Sequence, residues 1–344
     1  MKSKTSGKEI KIIDLALQGG GAHGSFTWGV LDALMEQDDL GIEAITATSA
    51  GAVNAAAFVS GYAKGGPEGA KKALHDLWFK MAAASALLPW QETPFDRLFQ
   101  NDGLQCSPSF LALDFITRMW SPYRLNIFDF NPLRDVVSEV VDFDAVRRCD
   151  SIKLFVNATH VKTGKGRVFR PEEITLDVVM ASACLPFIFK AVEIEGEAYW
   201  DGGYTGNPAL YPLFYEAKSE DILIVQINPV HVEDLPKEAP EILDRVNDIS
   251  FNSSLMPEIR AVMFVKKLIQ QGKLPREEYK DIRLHLIETQ HLMANLSRAS
   301  KLNADWHFMS HLRDAGRQMA EDWLKENYKH VGIRSSVDVE KIYL

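Results

Sequence analysis

Residues 10–62 alternate strand-like and helix-like patterning twice, and each strand runs straight into a turn built of small residues. Residues 10–17, Ile-Lys-Ile-Ile-Asp-Leu-Ala-Leu, read as a buried strand closed by glycines. From Ala22 the period changes: Phe26, Val30, Leu31 and Leu34 recur at helical spacing and mark the inner face of a helix ending near Gln37. A second strand over 42–48 leads into Ser49-Ala50-Gly51, and an alanine-rich helix follows over 50–62. A βαβα opening restricts the chain to a parallel sheet covered by helices on both faces, because parallel neighbours require crossovers of one hand.

The chain has 344 residues, enough for one large α/β domain or one domain with a sizeable appendage. A formal charge of −9 argues against nucleic acid as a partner, since phosphate binding needs a basic footprint. The same charge gives no general attraction to anionic membranes, so peripheral contact would need a local patch. Cys106, Cys149 and Cys184 lack metal-ligand spacing and read as reduced thiols of a cytoplasmic protein. No signal-peptide core forms at the N-terminus, and no stretch reaches the roughly 18 apolar residues of a membrane span. The expected location is the cytoplasm, with the inner face of a membrane as the alternative.

Residues 77–131 combine dense aromatics, Trp78, Trp90, Phe110, Trp120 and Phe128 among them, with four prolines, and predict an irregular insertion or lid. Strands are expected over 152–160, 167–169, 191–194, 198–200, 222–227 and 282–287, and a helix over 174–183. Beyond 210 the composition turns helical. Met256, Ile259, Met263 and Leu268 form a stripe read as core, or alternatively as a lipid-facing surface beside Lys266 and Lys267. Trp306, Met309, Leu312, Met319 and Trp323 trace one face of a long helix.

Three short motifs carry chemistry. Gly19-Gly20-Gly21-Ala22-His23-Gly24 lies between a strand and a helix, where bare backbone N–H groups and the helix dipole favour an anion, either a phosphate or an oxyanion. A dinucleotide site would need a carboxylate at the end of the second strand; Thr46, Thr48 and Ser49 stand there instead. Ala47-Thr48-Ser49-Ala50-Gly51 places a serine with small neighbours at a sharp strand-to-helix turn, the geometry of a nucleophile elbow. Helix capping by Ser49 is the competing explanation. Asp201-Gly202-Gly203 reads as a turn, or as an aspartate presented at a strand end.

Taken together and in this order, the three motifs resemble the pattern of the patatin-like phospholipase family. Asn157-Ala158-Thr159, Ala181-Ser182-Ala183 before Pro186, and Asn207-Pro208 add to the resemblance, which covers roughly residues 12–210. It implies a three-layer α/β/α fold, with a mostly parallel sheet flanked by helices and a largely helical C-terminal region over 211–344. It implies Ser49 as nucleophile, Asp201 as its base, and backbone N–H groups of Gly19, Gly20, Gly21 and Ala22 as oxyanion hole. His23, Gly24, Ala47, Gly51, Gly202 and Gly203 would support the motifs. Ala47 replaces the usual glycine, and His23 stands where the family usually has arginine or lysine.

A carboxyl with an ordinary pKa near ~3.9 is a poor base for serine, so partial desolvation of Asp201 is expected. His23, His75 and His160 are the candidates for a rival triad. The implied substrate is a lipid or other fatty-acyl ester, with neither cofactor nor metal. An acyltransferase using the same acyl-enzyme and a non-hydrolytic lipid-binding scaffold are the alternatives.

Overall fold

The computed structural model describes residues 10–85, 116, 119–288, 292–293, 296 and 298–343. β1 (Lys11–Leu17) alternates strictly: Ile13, Leu15 and Leu17 enter one apolar cluster and Ala16 the other. β2 (Leu40–Ala47) pairs parallel with β1 and with β3 (Lys153–His160). β4 (Gly166–Phe169) returns antiparallel on β3 after the predicted turn at Thr163. β5 (Val192–Ile194) and β6 (Glu197–Asp201) form an antiparallel hairpin whose β6 also pairs with β3. β7 (Asp221–Gln226) and β8 (Arg283–Glu288) extend the parallel part on the far side of β1. The order β5-β6-β3-β2-β1-β7-β8 is therefore parallel at its centre and antiparallel at one edge.

Helices cover both faces, as the two-sided burial of β1 and β7 demands. One layer holds α1 (Gly24–Leu34), α2 (Ala50–Ser85), α3 (Pro132–Val140) and α4 (Leu176–Ser182). The other holds α6 (Leu255–Gln270), which follows α5 (Ala239–Asn252), and the terminal helix Val339–Tyr343. The long helix α7 (Trp306–Asn327) joins the first layer through Met309, Leu312, Ala320 and Trp323. It meets α1 backbone to backbone: a Cβ on Gly29 would lie 1.9 Å from the Arg313 carbonyl oxygen, and one on Gly316 2.1 Å from that of Phe26.

The predicted boundaries differ mainly at α2. The alanine-rich helix does not stop at Tyr62 but resumes beyond a break at Gly65 and Gly66, so Leu77–Ser85 is helical. The rest of the predicted aromatic insertion falls largely outside the described residues. Of the predicted stripe only Ile259 is buried; Met256, Met263 and Leu268 are partly buried, Met263 packing against the second cluster, and the core face of α6 is Leu255, Ile259 and Val262, while Lys266 is paired with Asp281 at 2.6 Å. No helix among the described residues is long and apolar enough to cross a membrane.

Candidate active site

β3 acts as the ruler that brings the motifs together. Ala47 lies opposite Val156 on one side of β3, and Asp201 lies opposite Ala158 on the other. Ser49 follows two residues past the end of β2, in the turn that leads into α2. Ser49 Oγ donates to Asp201 Oδ2 at 2.7 Å, although 152 positions separate them.

The serine turn is strained and tightly held. Ser49 adopts φ 54, a left-handed conformation that costs a non-glycine residue on the order of 1–3 kcal/mol. Its N–H donates to Ser182 Oγ at 2.9 Å, and Thr48 Oγ1 donates to the Gly206 carbonyl at 2.7 Å. Gly51 is required by contact: a Cβ there would lie 2.4 Å from the Leu17 carbonyl oxygen. Ala47 is fully buried in the core between β1 and β3, where its methyl group packs without disturbing the turn.

Asp201 ends β6. Its Oδ1 accepts from Gly203 N–H at 2.7 Å, its N–H donates to the Cys184 carbonyl at 2.8 Å, and its carbonyl accepts from Thr159 Oγ1 at 2.7 Å. Gly202 and Gly203 fill places closed to side chains, against the Asn157 carbonyl and the Phe251 ring. Asn157 Nδ2 ties this turn further, donating to the carbonyls of Gly202 (2.8 Å) and Gly206 (3.0 Å). Burial raises the Asp201 carboxyl to about 6, against the lowering effect of the Ser49 and Gly203 hydrogen bonds.

The glycine loop abuts this pair. A Cβ on Gly19 would lie 2.5 Å from the Cβ of Ser49. Gly19 N–H is engaged by Asn207 Oδ1 at 2.6 Å, whereas the N–H groups of Gly20 and Gly21 have no hydrogen-bond partner among the described residues. Gly24 opens α1 against Ala50, too close for a Cβ at 2.8 Å. His23 turns away: its Nε2 meets Ser300 Oγ at 2.8 Å and its ring lies near Phe308. Burial, followed by the nearby Lys301 cation, lowers the His23 imidazole to about 3, so it is neutral. His75 is engaged with Asp76, Phe79 and Trp306, and His160 with Glu197 and Thr163. Sequence reasoning missed the work of Ser182, Asn157 and Asn207. Their letters are visible in the chain, but their contacts span 45 to 188 positions.

Against this geometry, the profile of the patatin-like phospholipase family matches residues 15–214, more than half of the chain. The chain belongs to that family. No curated protein matches it in sequence. Among solved structures it is similar to VipD from Legionella pneumophila, at 15% identity and TM-score 0.35, covering 88% of this chain and 67% of that one. It is also similar to the type III effector protein ExoU, at 16% identity and TM-score 0.34, covering 92% of this chain and 54% of that one. For the heterodimeric ExoU–SpcU complex of Pseudomonas aeruginosa the values are 15% and 0.41, covering 94% of this chain and 53% of that one. The chain thus spans about half the length of the ExoU chains. Membership in the patatin-like phospholipase family supports a lipid hydrolase activity in general terms.

Proposed function

We propose that this protein is a serine acyl-ester hydrolase acting on lipids through a Ser49–Asp201 dyad. The reading is carried by the 2.7 Å hydrogen bond from a strained Ser49 to a buried carboxylate. Asp201 Oδ2 takes the hydroxyl proton as Ser49 Oγ attacks the ester carbonyl carbon. The resulting oxyanion is held by N–H groups of Gly20, Gly21 and Ala22, beside the N-terminus of α1. The proton passes from Asp201 to the leaving alcohol as the tetrahedral species collapses to an acyl-enzyme. Water, deprotonated by Asp201, then attacks the acyl carbonyl, releasing the fatty acid and restoring the serine.

The catalytic unit on this reading is residues 12–210, with β7 and β8 from beyond 210 completing its sheet. Phe187 and Tyr204, both exposed, stand on the segments on either side of Asp201 and offer an apolar rim suited to an acyl chain or to a lipid surface. A fluorophosphonate probe tests the reading. It should modify the wild-type protein at Ser49 and leave Ser49→Ala unmodified, and wild type should release p-nitrophenol from p-nitrophenyl butyrate. Undiminished modification of Ser49→Ala would remove the assigned nucleophile.

A further inference from the structure

We propose that Lys301, acting through Asn228, fixes the orientation and polarity of the Gly19–Gly20 peptide and is thereby a positioning residue for the oxyanion donor; this deepens the hydrolase reading and rests on it. The Gly19 carbonyl accepts from Asn228 Nδ2 at 2.8 Å, while Gly19 N–H is held by Asn207 Oδ1. The Gly19–Gly20 peptide is trans, so its N–H points opposite to its C=O. Anchoring that carbonyl on Asn228 turns the Gly20 N–H to the other side of the loop. It leaves that N–H as an available donor in the loop whose Gly19 abuts Ser49.

Two groups decide which way the Asn228 amide faces. Lys301 Nζ donates to Asn228 Oδ1 at 2.9 Å, and an ammonium has only donors, so the amide oxygen must face it and the NH₂ must face Gly19. Gln18 Oε1 accepts from the same NH₂ at 3.2 Å and from the backbone N–H groups of Ile227 and Asn228 at 3.0 Å each. The result is a continuous polar line from the Lys301 ammonium through the Asn228 amide to the Gly19 carbonyl. Hydrogen bonds in such a line polarise one another, and a cation at its head strengthens each following donor. The line ends on the peptide that carries the Gly20 N–H.

Lys301 is itself well placed for this work. Its ammonium is held 3.3 Å from Asp248 Oδ1, both side chains being about 15% exposed. Its own carbonyl oxygen would lie 2.3 Å from a Cβ on Gly21, so the residue touches the loop with main chain as well as side chain. The neutral His23 within the loop supplies no charge of its own.

The test compares p-nitrophenyl butyrate turnover in the full chain for wild type, Lys301→Met, Lys301→Arg, Asn228→Ala and the double variant Lys301→Met/Asn228→Ala. Lys301→Met should lower kcat about tenfold with KM held within about twofold, and Asn228→Ala about a hundredfold. The double variant should match Asn228→Ala alone, because the lysine acts through the asparagine. Lys301→Arg should recover most of the loss. Where Lys301→Met does not fold, Lys301→Gln keeps a polar side chain, one bond shorter and without the charge, and should lose at least about fivefold. Multiplicative losses in the double variant, an unchanged kcat in Lys301→Met or Lys301→Gln, or a loss confined to KM would overturn the proposal. An active wild type with an indifferent Lys301 defeats this inference alone. A wild type that neither turns over ester nor takes up fluorophosphonate defeats the hydrolase reading and the inference together.

Discussion

Replacing Asp201 by asparagine separates the chemistry of this carboxyl from its effect on stability, because the two respond in opposite directions. Burial raises the group from an ordinary 3.8 to about 6, a displacement corresponding to about 3 kcal/mol in favour of the neutral form. The folded protein therefore keeps a proton that the unfolded chain has already released. Stability falls as pH rises from about 4 to about 6, then stays level. Asp201→Asn is neutral throughout and retains an oxygen for Gly203 N–H, but gives Ser49 Oγ a weaker partner at a net cost of about 1 kcal/mol. The variant should then be more stable than wild type by about 2 kcal/mol at about pH 8, and no more stable at about pH 4. Its kcat should fall by on the order of 10²–10⁴, the range expected for loss of a general base. Urea unfolding followed by tryptophan fluorescence at both pH values, with p-nitrophenyl butyrate hydrolysis, reads both effects. Wild-type kcat/KM should also lose about tenfold per pH unit below about 6. An Asp201→Asn protein that is less stable than wild type at about pH 8, or a wild-type rate that is flat through this range, would refute the reasoning.

Three further outcomes are expected. Gly19→Ala forces a methyl to within 2.5 Å of the Ser49 Cβ, so fluorophosphonate modification should slow by about a hundredfold or more, with near-wild-type circular dichroism. His23→Gln keeps a polar partner for Ser300 and removes a group that is neutral at working pH; the acid limb near about 6 should persist, and its disappearance would point to His23 as the titrating base. Asp14 is buried on β1 with neither carboxylate oxygen in a well-formed hydrogen bond among the described residues, and desolvation followed by Glu43 raises it to about 8 against the lowering effect of Lys280 and the Ala44 backbone. Since the folded state holds that proton longer than the unfolded one, stability should decline as pH rises from about 4 to about 8, and Asp14→Asn should lose that part of the slope in urea titrations.

The opening βαβα was legible because its cause is local. The short, almost continuously buried run over residues 11–17 and the helical spacing from Phe26 to Leu34 are each set by neighbours, and a glycine run or a serine among small residues marks a turn wherever it occurs. Ser49 and Asp201 could be named from their motifs, and their proximity was an expectation. What joins them is the register of two strands on β3, a long-range fact with no local trace. The same holds for Ser182 beneath the Ser49 amide and for the line Lys301–Asn228–Gly19, whose members look like ordinary surface or loop residues in the chain. Beyond Tyr62, glycines at 65 and 66 and Pro67 break the helix locally. Tertiary packing of Ala70, Leu74 and Leu77 resumes the helix beyond them.

A second aspartate in this fold shows why Asp201, and not simply any buried carboxylate, suits a dyad without histidine. Asp221, at the start of β7, is clamped by Arg283 at 2.8 Å, His285 Nε2 at 3.0 Å and Gly332 N–H at 3.0 Å, and these partners hold it well below the usual carboxylate range despite burial. A carboxylate so stabilised has no appetite for a proton and would be useless to a serine hydroxyl. Asp201 is more deeply buried yet, among the described residues, its carboxyl receives one backbone N–H and one neutral hydroxyl, with no cation among the causes that set its acidity. Desolvation therefore wins, and the group comes to titrate near neutrality. The two bare glycines after Asp201 keep cationic side chains as well as bulk away from the turn. On this argument the scarcity of partners around Asp201 is what makes it basic enough to serve Ser49.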